Sequence, residues 1–322
     1  MNQKFRVLSL SGGGVRGLYT ASFLAEIEHL SGKKFADHFD LIVGTSTGGL
    51  IAIAIGLGNS VASIRDFYKN NGATIFPAGI VPRFFKRFRR IAYPIHDNAV
   101  LERLIKQCVG EERTIGDSKR PLVINAFHAA GGKPVCFKTR HHDDFKKDHS
   151  RKAWEVAMAT SAAPVFYRAF QAEDGTDWID GGVWANCPVL VGAIEAIDRF
   201  GKPRDQIDIL SIGTTKTPFS IDHGARCGGA WRNVSMKNRA VVNLLMEANR
   251  RSAMFMAQRL IGPDSILEID RDVDKGGYEM DDASPNALRD LQALGEDDAK
   301  THVQSLVARY FQAPAAPWSP MV

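Results

Sequence analysis

Ser46 stands at the centre of Gly44-Thr45-Ser46-Thr47-Gly48, after an apolar run ending at Val43 and before another opening at Leu50. A serine on a sharp strand-to-helix turn needs small residues two positions to either side, because the backbone there leaves no room for side chains. That turn lifts Ser46 Oγ clear of a sheet at the N-terminus of a helix, whose dipole favours developing negative charge. The chemistry on offer is nucleophilic attack on a carbonyl. The plainer reading is a serine in an ordinary glycine-rich turn.

A second pattern is Ser11-Gly12-Gly13-Gly14-Val15-Arg16-Gly17, again between an apolar run and a helical one. Its side-chain-poor backbone leaves N–H groups free to face an anion, either a phosphate or the oxyanion of a tetrahedral intermediate. Gly12, Gly14 and Gly17 also satisfy G-x-G-x-x-G. A dinucleotide unit, however, wants an acidic residue at the far end of the second strand. Asp40 sits at the near end, and the strand delivers Ser46 instead.

A serine nucleophile needs a base, and histidine is the usual one. His96, His128, His141, His142, His149, His223 and His302 follow Ser46, none in a small-residue loop after a strand. Trp178-Ile179-Asp180-Gly181-Gly182 offers a carboxylate instead. Two glycines let that loop pack against another backbone, so Asp180 could reach Ser46. Alone, Asp180 reads as a solvated turn residue.

These residues need elements to hold them. Phe5–Leu10, Phe39–Val43 and Ile207–Ile212 read as buried strands, the last closed by Gly213. Pro121–Phe127 and Val135–Thr139 read as a strand pair turning through Ala129–Lys133. Helical spacing follows Gly17 (Leu18, Phe23, Leu24, Ile27, Leu30), covers Leu50–Leu57 and Arg151–Thr160, and could run from Val234 to Ile261. Ser284-Pro285 is a helix start, with a helix predicted through Leu294. Strands alternating with helices give an α/β class. A single domain is expected over residues 1–312, its motifs within 5–213, its 214–312 part helical, and a loose tail over 313–322.

Taken together, the glycine loop with its arginine, the G-x-S-x-G turn, Ala159-Thr160-Ser161-Ala162-Ala163-Pro164 and Asp-Gly-Gly resemble the patatin-like phospholipases from Phe5 to Gly213. The resemblance implies a three-layer α/β/α fold with a mostly parallel central sheet. It implies Ser46 as nucleophile, Asp180 as base and the loop Gly12, Gly13, Gly14, Val15, Arg16, Gly17 as oxyanion hole. Gly44, Thr45, Thr47 and Gly48 would frame the nucleophile, and Gly181 and Gly182 the base, with neither histidine nor metal. Phe137–His142, Leu210–Thr214 and Met280–Leu288 are similar to the cyclic-dinucleotide-activated patatin phospholipases of bacterial anti-phage (CBASS) systems. That likeness implies no cofactor beyond a cyclic dinucleotide activator, such as 3′,3′-cGAMP, made by a partner nucleotidyltransferase. Arg232, Arg239, Arg250 and Arg251 are candidates for its phosphates. Cys187, in Ala185-Asn186-Cys187-Pro188, departs from the asparagine usual in the family but lies outside the dyad.

Composition sets the surroundings. The chain has 322 residues, 44% hydrophobic and 24% charged, ordinary for a globular protein. Its +5 charge favours anionic surfaces. Cys108, Cys136, Cys187 and Cys227 show no C-x-x-C spacing and read as reduced small hydrophobes. No signal-peptide pattern precedes Phe5, so a cytoplasmic protein is expected, peripheral at the inner membrane face when active. Arg83–Arg90 interleaves five basic and three aromatic residues, which suits a phospholipid membrane surface, a homodimer contact or solvent better than a nucleic acid. His141-His142-Asp143-Asp144 is too local for a metal site. Two other functions stay open: a constitutive lipase or esterase, with the dyad or a histidine triad, and a non-catalytic nucleotide-binding module.

Overall fold

A computed structural model of the chain describes residues 3–77, 96–164, 166–216, 240–274 and 277–321. The basic-aromatic cluster at 83–90, His223, Cys227, Arg232 and Arg239 lie outside them. The strands are β1 (Phe5–Leu10), β2 (Leu41–Thr45), β3 (Leu122–His128), β4 (Lys133–Lys138), β5 (Phe170–Gln171), β6 (Asp177–Asp180), β7 (Ile207–Ile212) and β8 (Ile266–Ile269). The longer helices are α1 (Gly17–Ser31), α2 (Thr47–Gly56), α3 (Val61–Ile75), α4 (Asn98–Val109), α5 (Ala153–Ser161), α6 (Val189–Asp198), α7 (Ala240–Ile261) and α8 (Pro285–Tyr310).

The strands form one sheet in the order β5-β6-β3-β2-β1-β7-β8, with β4 also paired to β3. Pairs among β3, β2, β1, β7 and β8 are parallel. Pairs with β4 and β6 are antiparallel, as is β5 with β6. Because side chains alternate across a strand, a sheet covered on both sides must be apolar at nearly every position. β1 shows this: Leu8 and Leu10 enter one core while Phe5 and Val7 enter the other. α1 to α5 and α8 supply the first core, and α6 and α7 the second. The architecture is a three-layer α/β/α fold.

Three expectations are corrected. The region after Gly213 is not only helical, because β8 extends the parallel sheet beside β7. The last helix does not stop near Leu294 but continues to Tyr310. Gly295 does not end it; a Cβ there would lie 2.4 Å from Tyr19 O, so the glycine is where α8 crosses α1. The segment after Tyr310 is not loose. Arg6, buried on β1, donates through Nη1 to the carbonyls of Tyr310 and Ala313. The Ala315 and Met321 amides donate to Asp37 O and Arg140 O. A buried guanidinium must find acceptors, and the open end of α8 provides them. Among the described residues no helix is long and apolar enough to cross a membrane.

Candidate active site

Ser46 follows directly on β2 and caps α2 with φ 56° and ψ −127°. This conformation is strained for a non-glycine residue, by roughly 1–3 kcal/mol, and persists only where the surroundings impose it. A Cβ on Gly48 would lie 2.2 Å from Leu10 O, and one on Gly44 would lie 2.5 Å from Gly48 O. The small residues of the turn therefore answer to close backbone contacts. Thr160, near the end of α5, accepts the Ser46 N–H at 2.8 Å through Oγ1 and donates to Asn125 O at 2.6 Å.

Register brings Asp180 to Ser46. β3 has two edges, and β4 occupies one from Val123 to His128. β2 and β6 must share the other. β2 pairs as far as Asn125, opposite Thr45, and β6 takes over at Ala126, opposite Asp180. The two strands run toward each other along one edge and meet at their ends. Gly181 is needed at this junction, since a Cβ there would lie 2.3 Å from Asn125 O.

At the junction Ser46 Oγ donates to Asp180 Oδ2 at 2.6 Å. The other carboxylate oxygen accepts the Gly182 N–H, also at 2.6 Å. Asp180 is 3% exposed. Burial pushes its carboxyl up to about 7, against the opposing hydrogen bonds from Ser46 and Gly182. A carboxylate poised near neutrality is well matched to taking a proton from a hydroxyl.

The glycine loop lies against the serine: a Cβ on Gly12 would be 3.0 Å from Ser46 Cβ. Four of its six amides are engaged internally. Gly12 donates to Asn186 O, Val15 to Met280 O, Arg16 to Gly13 O and Gly17 to Gly14 O. The Gly13 and Gly14 amides have no such acceptor among the described residues, and both glycines line the same cavity as Ser46. Their orientation is fixed from behind. Gly12 O accepts from Asn186 Nδ2 and Thr214 Oγ1, each at 3.3 Å, and Gly13 O accepts from Arg16 Nε at 3.3 Å. In a trans peptide the N–H points opposite to the C=O. Holding those two carbonyls therefore aims the Gly13 and Gly14 amides the other way.

Ser46 opens into a cavity of about 320 Å³. Its walls are mostly apolar, with Leu50, Phe67, Ile75, Phe76 and Leu101 among them, and no histidine is among the described residues that line it. His141 lies elsewhere, its ring nitrogens 2.8 Å from Thr139 Oγ1 and 2.9 Å from Glu195 Oε1. Among the described residues no three His, Cys, Asp or Glu side chains group to hold a metal. Cys187 is buried, with Sγ 3.8 Å from Ser211 Oγ, outside the cavity wall.

Several positioning residues were not singled out by sequence reasoning. Asn186 and Thr214 grip the glycine loop. Asn249 of α7 accepts the Asn186 N–H at 3.0 Å and donates to Trp184 O. Phe67 and Ile75 project from α3, whose apolar spacing (Val61, Ile64, Phe67, Tyr68, Ile75) was the available signal. Replacing Thr160 by valine, of equal shape, should leave the Ser46 amide buried without an acceptor. That costs about 1–3 kcal/mol. A lowered melting temperature with a reduced kcat is expected, and serine at 160 should restore both.

A serine on a strand-to-helix elbow, hydrogen-bonded to a buried carboxylate beside two aimed amides, has the parts that acyl transfer requires. The family model of patatin-like phospholipases matches residues 8–192. A cGAMP-activated phospholipase of Vibrio cholerae serotype O1 is 31% identical, over 98% of this chain and 96% of its own. Another of that description from Pseudomonas aeruginosa is 34% identical, over 90% of this chain and 82% of its own. Patatin-like protein 1 of Arabidopsis thaliana is 29% identical, over 90% and 80%. The chain is a lipid acyl hydrolase. It belongs to the patatin-like phospholipase family.

Proposed function

We propose that the protein cleaves acyl esters of membrane phospholipids with Ser46 as nucleophile and Asp180 as base. The observation that carries this reading is the 2.6 Å hydrogen bond from Ser46 Oγ to Asp180 Oδ2 at an apolar cavity. The acyl chain would lie in the cavity with its carbonyl over Ser46. Asp180 takes the hydroxyl proton as Oγ bonds to the carbonyl carbon, and the oxyanion faces the Gly13 and Gly14 amides. Collapse breaks the ester bond, and the leaving alkoxide, the lysolipid, takes the proton from Asp180. Water, deprotonated by Asp180, then attacks the acyl-enzyme; Ser46 is reprotonated and a fatty acid leaves. Release of fatty acid from phosphatidylglycerol and phosphatidylethanolamine vesicles by the purified protein tests this. Absence of release under every condition, including with activator, would remove the lipid substrate from the reading.

We further propose control by a cyclic dinucleotide from a partner nucleotidyltransferase, acting in defence against phage. Two relatives from different bacteria are described as cGAMP-activated. The fold supplies a route for coupling, since Asn249 ties α7 to the backbone between Trp184 and Asn186, which grips the glycine loop. Two of the arginines expected to meet phosphates already have partners. Arg250 pairs with Glu247 and Glu268, and Arg251 with Glu247. An activator works through its differential affinity for the active state, and a 100-fold gain corresponds to about 2.7 kcal/mol. Lipase activity is expected to rise about 100-fold or more with 3′,3′-cyclic GMP-AMP and not with its linear form. Equal, high activity without nucleotide would leave a constitutive lipase.

A further inference from the structure

Helix α7 carries an apolar strip that no part of the described fold covers. Leu245, Phe255 and Met256 are 63%, 58% and 47% exposed. At about 100° per residue, Leu245, Ser252 and Met256 fall within about 40° of one another, with Arg259, Ala248 and Phe255 beside them and Arg251 at the margin. Arg259 lies over the Phe255 ring at 5.3 Å. The acidic residue of this stretch, Glu247, is drawn to Arg250 and Arg251 and is 17% exposed at its side chain. The outward arc therefore bears apolar and cationic groups together and no free carboxylate. A helix facing water would be polar across this arc. Apolar side chains flanked by arginine suit the boundary between acyl chains and anionic headgroups.

The strip also joins the cavity. Leu245 lines it, as does Val183, itself 49% exposed and next to Gly182. A phospholipid reaching Ser46 through open water would have to expose its acyl chains, whereas a cavity mouth pressed on the bilayer spares them.

From this continuity we infer that the outward face of α7, from Leu245 to Arg259, is the surface that docks on an anionic phospholipid bilayer and sets the cavity mouth against the acyl layer. The face spans about 21 Å at 1.5 Å per residue. This rests on the reading of the cavity as the acyl-chain site, but its test does not need catalysis. The full chain carrying Ser46→Ala, so that lipid is not consumed, is sedimented with vesicles of phosphatidylcholine alone or with about a quarter phosphatidylglycerol. Phe255→Ser with Met256→Ser should lower binding to both vesicles by about tenfold. Arg259→Glu should lower binding to the anionic vesicles alone, by about tenfold. With Ser46 restored, both variants should hydrolyse a soluble short-chain ester at the parent rate, showing that the fold is kept. Unchanged vesicle binding in the double variant overturns the proposal. So does conversion of a dimer to a monomer with vesicle binding unchanged, since a second copy would then be what covers the face. A parent protein that binds vesicles through this face yet releases no fatty acid from their phospholipid would overturn the reading of membrane phospholipid as substrate and leave the docking surface standing.

Discussion

Ser46→Ala is expected to lower hydrolysis of a phospholipid ester by about 10⁴-fold or more while leaving the melting temperature within a few degrees of the parent. The large factor follows from loss of the atom that forms the covalent bond, since the remaining groups can only bind and polarise the substrate. The small stability effect follows from the site itself. Alanine inherits the same strained backbone, the Thr160 contact to the 46 amide is kept, and the hydrogen bond lost among the described residues is the one from Oγ to Asp180. Comparison of kcat/KM and thermal unfolding for the two proteins checks both halves. Retained activity with a normal unfolding curve would mean that Ser46 is an ordinary elbow serine.

Asp180→Asn should reduce hydrolysis by about 10²–10⁴-fold, because an amide cannot take the serine proton. The same carboxyl sets two pH dependences. With its folded pKa near 7, the parent rate should rise as pH passes through 7, and the asparagine variant should lose that limb. For stability the sign is the opposite. The ordinary value is 3.8, so between pH 4 and 7 the folded state holds a proton that the unfolded chain has released. Stability from this group is present below pH 4 and lost as pH rises through 7. Asparagine carries no such loss. The variant should therefore gain on the parent as pH rises from 4 to 8, with an upper bound on the order of 4 kcal/mol. A stability difference that does not change with pH would show that Asp180 titrates as an exposed carboxyl does.

How much of this was legible in the sequence depended on how local the cause was. The elbow and the glycine loop were legible because their geometry demands small residues within a few positions of one another. β1 and β7 were legible because burial on both faces makes them continuously apolar. Asp180 was marked by its glycines, but its meeting with Ser46 is a matter of register. β3 is long enough to carry β2 and then β6 along one edge, and nothing near Asp180 states that. The six amides of the glycine loop expected to face an oxyanion narrow, among the described residues, to those of Gly13 and Gly14 only when Asn186, Thr214 and Met280 are placed, all distant in sequence. β8 escaped notice as four residues with Glu268 among them, and its strand character comes from pairing with β7. The predicted end at Leu294 fell short because propensity is local, whereas the role of Gly295 at the α1 crossing is tertiary.

The central claim is that Ser46 forms the acyl-enzyme with Asp180 as its base. Covalent capture with a fluorophosphonate, read by intact mass and peptide mapping, tests it most directly. One adduct per chain is predicted, on the peptide bearing Ser46, at a rate that rises with pH through about 7 and falls by about 10²-fold or more in Asp180→Asn. An adduct on another residue, or labelling of Ser46 that is indifferent to both pH and Asp180, would contradict it.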